Sequence, residues 1–214
     1  MHPIPDSRRP RVLPLRETEP VMFAVVDTET TGFSNADRII EIGVVICDPN
    51  GTPVAEWDSL INPGPGPIGP THIHGISRDM LIDAPRFEDI ADSLGRLLSG
   101  NLLVAHNAPF DARMLRNEYD RLGVTVPLSK GQYTCTLRQS RLTWPQATSY
   151  TLEDLCSLVG VHYPVTHRAL ADAQATAAVL KAMIAAGTDH TYMLRQARTR
   201  AWPETAATSG QFSA

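Results

Sequence analysis

Lysine is nearly missing from this chain: Lys130 and Lys181 are the only two, and arginine supplies the rest of the 19 basic residues. Against 23 carboxylates the net charge is −4, which argues against a protein that grips a phosphate backbone by charge alone. Cysteine is scarce too. Cys47, Cys135 and Cys156 are odd in number and share no metal-ligand spacing, so they read as buried thiols in a reducing cytoplasm, with no zinc cluster. No apolar run approaches the roughly 18 residues that cross a bilayer. The first twenty residues carry Arg8, Arg9, Arg11 and Arg16 without an apolar stretch, so no signal peptide is expected there. No internal repeat is evident.

What is present is one domain's worth of alternating strand and helix signals in 214 residues. Residues 1–20, rich in Pro and Arg, read as a flexible arm. Strands are expected over about 22–28, 38–48 and 54–61. The second is almost continuously apolar and therefore central, while the third alternates and suits an edge. Asp48-Pro49-Asn50-Gly51 supplies a tight turn between them, giving an antiparallel meander. A loop rich in Pro and Gly spans 62–70. A helix from Phe87 to Leu98, a short strand Leu102–Ala105 and a helix from Pro109 to Leu122 follow, the helices stopping at Gly100 and Gly123. Residues 133–138 are ambiguous between strand and helix. Thr151 caps a short helix ending at Gly160. The last strong helix covers about 168–186, with Leu170, Ala173, Ala177, Leu180 and Ile184 at helical spacing. This pattern specifies an α/β fold with a mixed sheet, organised as an arm (1–20), a domain (21–187) and a partly disordered tail (188–214).

Three segments carry chemistry. Asp27 and Glu29 close the first strand two residues apart, on one face. Two anions held that close repel unless a cation lies between them. Asp111 falls in the first turn of the helix after Leu102–Ala105, where the macrodipole favours an anion, and the preceding strand is expected to lie beside the Asp27 strand. Asp172 repeats that placement at the start of the last helix, and His167 precedes it on the loop. An imidazole there can take a proton from water. His74 sits in a loop suited to gripping a nucleotide. His106, after a buried strand, suits a hydrogen bond into the core, and His2, His162 and His190 read as solvent-exposed. Glu41, in mid-strand, reads as structural, paired with a nearby donor.

Asp-x-Glu after the first strand, His-Asn-x-x-Phe-Asp before a helix and His-x-Ala-x-x-Asp opening the last helix together resemble the DEDDh (DnaQ-like) 3′–5′ exonucleases over about residues 22–186. The Thr30-Thr31-Gly32 turn, the Ile73–Ile76 loop and Tyr150–Leu155 resemble the branch that includes the proofreading epsilon subunit of bacterial DNA polymerase III. The resemblance implies a ribonuclease H-like fold with a mixed five-stranded sheet of order 3-2-1-4-5, flanked by helices. It implies that Asp27, Glu29, Asp111 and Asp172 bind two Mg²⁺ or Mn²⁺ ions, that His167 is the general base, and that Thr30, Ile73, His74, Asn107 and Phe110 hold the 3′-terminal nucleotide. Four oxygen donors suit such hard ions independently of any resemblance.

The expected function is release of nucleoside monophosphates from single-stranded or frayed 3′ ends of DNA by phosphodiester hydrolysis, in proofreading or repair. An exoribonuclease is the alternative within the same chemistry. An inactive exonuclease-like binding module is disfavoured, because all five catalytic positions are filled. A DNA polymerase III partner is one expectation, with Tyr192, Met193, Leu194 and Trp202 as apolar anchors in the tail; no membrane association is expected.

Overall fold

The computed structural model describes residues 20–163, 167–203 and 205, so the expected N-terminal arm lies, but for Pro20, outside the described residues. Five strands form one sheet: β1 (Phe23–Thr30), β2 (Ile39–Cys47), β3 (Pro53–Leu60), β4 (Leu102–Ala105) and β5 (Tyr133–Cys135). Their order is β3-β2-β1-β4-β5, as expected. The first three are antiparallel, and β4 and β5 run parallel to β1 and β4 respectively. β2 is buried at every residue and β3 is mostly exposed, matching a central and an edge strand.

Eight helices complete the described chain: α1 (Thr71–His74), α2 (Arg78–Leu81), α3 (Phe87–Leu98), α4 (Ala108–Arg121), α5 (Thr136–Thr143), α6 (Leu152–Leu158), α7 (Ala169–Ala185) and α8 (Thr191–Ala197). The ambiguous 133–138 stretch is both things in turn, β5 and the first turn of α5. Among the described residues no helix is long and apolar enough to cross a membrane. All three cysteines are buried free thiols.

The two-residue period of β1 divides the interior. Ala24 and Val26 face a layer containing Phe87, Leu94, Met114 and Leu115 from α3 and α4. Phe23 and Val25 face Ala173, Ala177 and Leu180 of α7. Gly43 on β2 lets α7 approach closely: a Cβ there would stand 2.4 Å from the Leu170 nitrogen and 2.5 Å from the Ala169 carbonyl. At the other end of β2, the buried Glu118 carboxylate accepts from Arg38 Nε at 2.8 Å and from the Ile39 amide at 3.0 Å, tying the strand to α4.

Three of the four expected tail anchors are corrected: they pack into the domain. Trp202 is 2% exposed and belongs to the main core, its ring 5.2 Å from that of Tyr119. Met193 and Leu194 pack on the α7 side of the sheet, and the Gly100 amide donates to the Arg200 carbonyl at 3.0 Å. These apolar residues are the domain's own core, which is why they are not free anchors; Tyr192 alone of the four is well exposed. His190 is corrected as well: it is buried, edge-on to Phe23 at 5.5 Å.

Candidate active site

At the C-terminal end of β1 the two layers meet. Asp27 and Glu29 continue the Phe23/Val25 face, toward α7, while Thr28 continues the Ala24/Val26 face, toward α4. Thr28 Oγ1 donates to Asp111 Oδ1 at 2.8 Å, which turns the α4 carboxylate to the strand end. Asp172 enters from the first turn of α7, and Tyr163 Oη donates to its Oδ1 at 2.7 Å. His167 lies on the loop before α7, as expected. Ligand atoms of Glu29, His167 and Asp172 lie within 4.8 Å of one another.

The electrostatics are those of an anion cluster short of cations. Burial, then the charges of Asp111, Asp172, Glu29 and Glu41, hold the Asp27 carboxyl well above the usual carboxylate range. Glu29 is pushed up to about 8 by burial, Asp172, Glu41 and Asp111, with Arg168 opposing. Asp111 is pushed up to about 7 by burial, against the hydrogen bond from Thr28. Burial also raises Asp172, while Tyr163 and His167 lower it. Such a group of oxygen donors fits divalent ions, which would replace protons as the neutralising charge.

The remaining expected residues differ in exposure. Thr30 is buried and donates to the Gly32 carbonyl at 2.7 Å. Ile73 is exposed, while His74 is 1% exposed, with Nδ1 accepting from the Ile76 amide at 3.0 Å. Asn107 is exposed in a left-handed conformation (φ 70°) at the cap of α4. Phe110 packs partly on the core and stands 5.9 Å from Phe33. His106 bonds inward, to Thr136 Oγ1 at 3.0 Å and the Tyr150 carbonyl at 3.1 Å, as expected.

Tyr163, Thr28 and Phe33 escaped the sequence reading. Tyr163 lies in an unpatterned loop, and only its distance of nine residues from Asp172 could have drawn notice. Phe33, 78% exposed, had a signal: an aromatic directly after the Asp-x-Glu turn.

The sequence model of the RNase_T exonuclease family matches residues 24–180, and that span contains every position expected to be catalytic. The chain belongs to the DnaQ-like exonuclease family. Within it, the chain is 38% identical over 170 residues to the DNA polymerase III subunit epsilon of Treponema pallidum, covering 78% of each chain. It is 36% identical over 165 residues to the PolC-type DNA polymerase III of Caldanaerobacter subterraneus, of which it spans only 11%. Among solved structures it resembles exonuclease X in complex with 5′-overhanging duplex DNA, at 29% identity and a TM-score of 0.65, covering 83% of this chain and 99% of that one. The ribonuclease H-like sheet of this exonuclease is thus shared with proteins whose function is known.

Proposed function

We propose that this exonuclease removes nucleotides from DNA 3′ ends in the 3′–5′ direction, in the cytoplasm, using two divalent ions. The observation that carries the reading is the convergence of Glu29, His167 and Asp172, from β1 and the α7 entrance, beside the raised carboxyls of Asp27 and Asp111. Asp27, Glu29, Asp111 and Asp172 would hold the ions, Mg²⁺ or Mn²⁺ by the hardness of the donors. When bound, the ions neutralise the scissile phosphate, favour ionisation of the attacking water and steady the leaving 3′-oxygen.

The chain supplies the rest. His167 accepts the proton of the attacking water. Thr28 and Tyr163 orient Asp111 and Asp172 through the hydrogen bonds above. Thr30, Ile73, His74, Asn107 and Phe110 hold the terminal nucleotide, Phe110 offering a ring face that any base can stack on. DNA is favoured over RNA because the similar exonuclease X carries DNA. A role beside a replicative polymerase rests on the likeness to the Treponema epsilon subunit.

The test is digestion of 5′-labelled DNA and RNA strands, with paired or mispaired 3′ ends, in Mg²⁺ or in EDTA, with Asp27→Ala as control. The labelled strand should shorten one nucleotide at a time from the first time point, and a mispaired terminus should go faster, since unpairing costs a few kcal/mol. Labelled mononucleotide at the first time point would refute the polarity, early internal fragments would make the protein an endonuclease, full activity in EDTA would refute the metal reading, and faster loss of RNA would transfer the substrate class.

A further inference from the structure

Glu41 is a carboxylate in the middle of the central strand, 2% exposed and directly opposite Glu29 in the β1–β2 register. A fifth acid so close to four others would be expected either to join the ligand set or to be neutralised. It is neutralised from one side only. Arg168 Nε donates to Oε1 at 2.9 Å and to Oε2 at 3.1 Å, Arg168 Nη2 donates to Oε1 at 2.6 Å, and the Ala169 amide donates to Oε2 at 3.0 Å. Both oxygens are therefore taken by the residue that caps α7 and by the first residue of that helix. A charge pair with one partner buried contributes little net stability once desolvation is counted, whereas its geometry is restrictive.

What this geometry restrains is the residue before it. His167 has φ 45°, left-handed and unusual for a side chain of its size. Among the described residues its ring makes no hydrogen bond, although it stands within 4.8 Å of Glu29 and Asp172 ligand atoms. Its position is therefore set through the backbone, and Glu41 holds the next two residues, Arg168 by its guanidinium and Ala169 by its backbone amide. Gly43, two residues along the same face of β2, removes the obstacle to that seating: any Cβ would meet the Ala169 and Leu170 backbone.

We propose that Glu41 and Arg168 are a positioning pair that fixes His167 over the carboxylate cluster. The proposal rests on the exonuclease reading for its kinetic consequence and on geometry alone for its structural one. Arg168 acts here as a fork spent on Glu41, so its loss should misplace the imidazole without weakening the hold on substrate. A misplacement of about 1 Å is enough to cost roughly a hundredfold in rate.

The experiment compares Arg168→Ala, Arg168→Lys and the double variant Glu41→Gln/Arg168→Met, which leaves no unpaired buried charge should Arg168→Ala fail to fold. His167→Ala is the control. In Mn²⁺ with a single-stranded DNA oligonucleotide, all three should lower kcat by roughly ten- to a hundredfold, with KM and the Mn²⁺ half-saturation within about twofold. Guanidinium ions should restore part of the rate to Arg168→Ala and none to His167→Ala. In the metal-free protein, NMR should show faster exchange of the Ala169 amide and a broadened His167 ring signal in the double variant. A folded double variant with wild-type kcat and an unchanged His167 signal would overturn the pair, as would a loss confined to KM, which would make Arg168 a substrate contact. If the wild type digests no 3′ end, the exonuclease reading fails by itself, and the NMR comparison still decides whether the pair orders His167.

Discussion

Removing one of the carboxylates proposed to hold metal should make the metal-free protein more stable, and Glu29→Gln is the clearest case. Glu29 rises from 4.5 to about 8, first through burial and then through Asp172, Glu41 and Asp111. The folded chain thus keeps this proton to about pH 8, whereas the unfolded chain loses it near 4.5. The contribution is fully present below the unfolded value and is lost as pH rises through the folded one. At about 1.4 kcal/mol per pH unit the interval is worth roughly 5 kcal/mol. Glu29 is only half-buried, so solvent screening reduces this to about 2 kcal/mol. For a chain of this size that is about 4–8 °C in melting temperature. Melts in EDTA should show the two proteins alike near about pH 4 and Glu29→Gln higher near about pH 9. Excess Mn²⁺ should reverse the order, because ligand at about 100 Kd adds about 2.7 kcal/mol to the protein that binds it. A variant that melts at or below the wild type in EDTA near about pH 9 would refute the reasoning.

Three further outcomes are expected. His167→Ala should lower kcat by about 10²–10⁴-fold while Mn²⁺ affinity, followed by electron paramagnetic resonance, stays constant; a parallel loss of affinity would make His167 a ligand. Tyr163→Phe keeps the ring but loses the 2.7 Å bond to Asp172, and should raise the metal half-saturation about tenfold; unchanged metal dependence would make the phenol incidental. Trp202→Ala should cost about 3–5 kcal/mol in denaturant melts, since its ring fills the core against Tyr119, and an unaltered midpoint would return that residue to the tail.

The sheet was legible because its signals are local and periodic. β2 announces itself by unbroken apolarity, and the Asp27/Glu29 pair by the two-residue period of a strand. Asp111 and Asp172 are visible because each opens a helix. The illegible parts depend on distant partners. Nothing near Glu41 in sequence foretells Arg168, 127 positions away. α1 and α2 are four residues each, too short for any period to register. Met193, Leu194 and Trp202 display their apolarity plainly, yet sequence does not say whether such residues face another protein or their own sheet. His190 was misjudged for the same reason: its burial depends on Phe23, 167 residues earlier.

One strand, then, does two jobs with one alternation. Phe23 and Val25 bury against α7, and Asp27 and Glu29 extend the same face beyond the apolar layer. Ala24 and Val26 bury against α3 and α4, and Thr28 extends that face to meet Asp111. The core residues fix the register, and the register brings carboxylates from both helix layers to one point. Each of those carboxylates opposes folding in the absence of a cation, and the apolar pairs before them on the same strand offset that cost. A one-residue slip of β1 would exchange the faces, placing Thr28 toward α7 and Asp27 toward α4. Core and site would fail together, so the packing that holds β1 in place is also what sets the catalytic geometry.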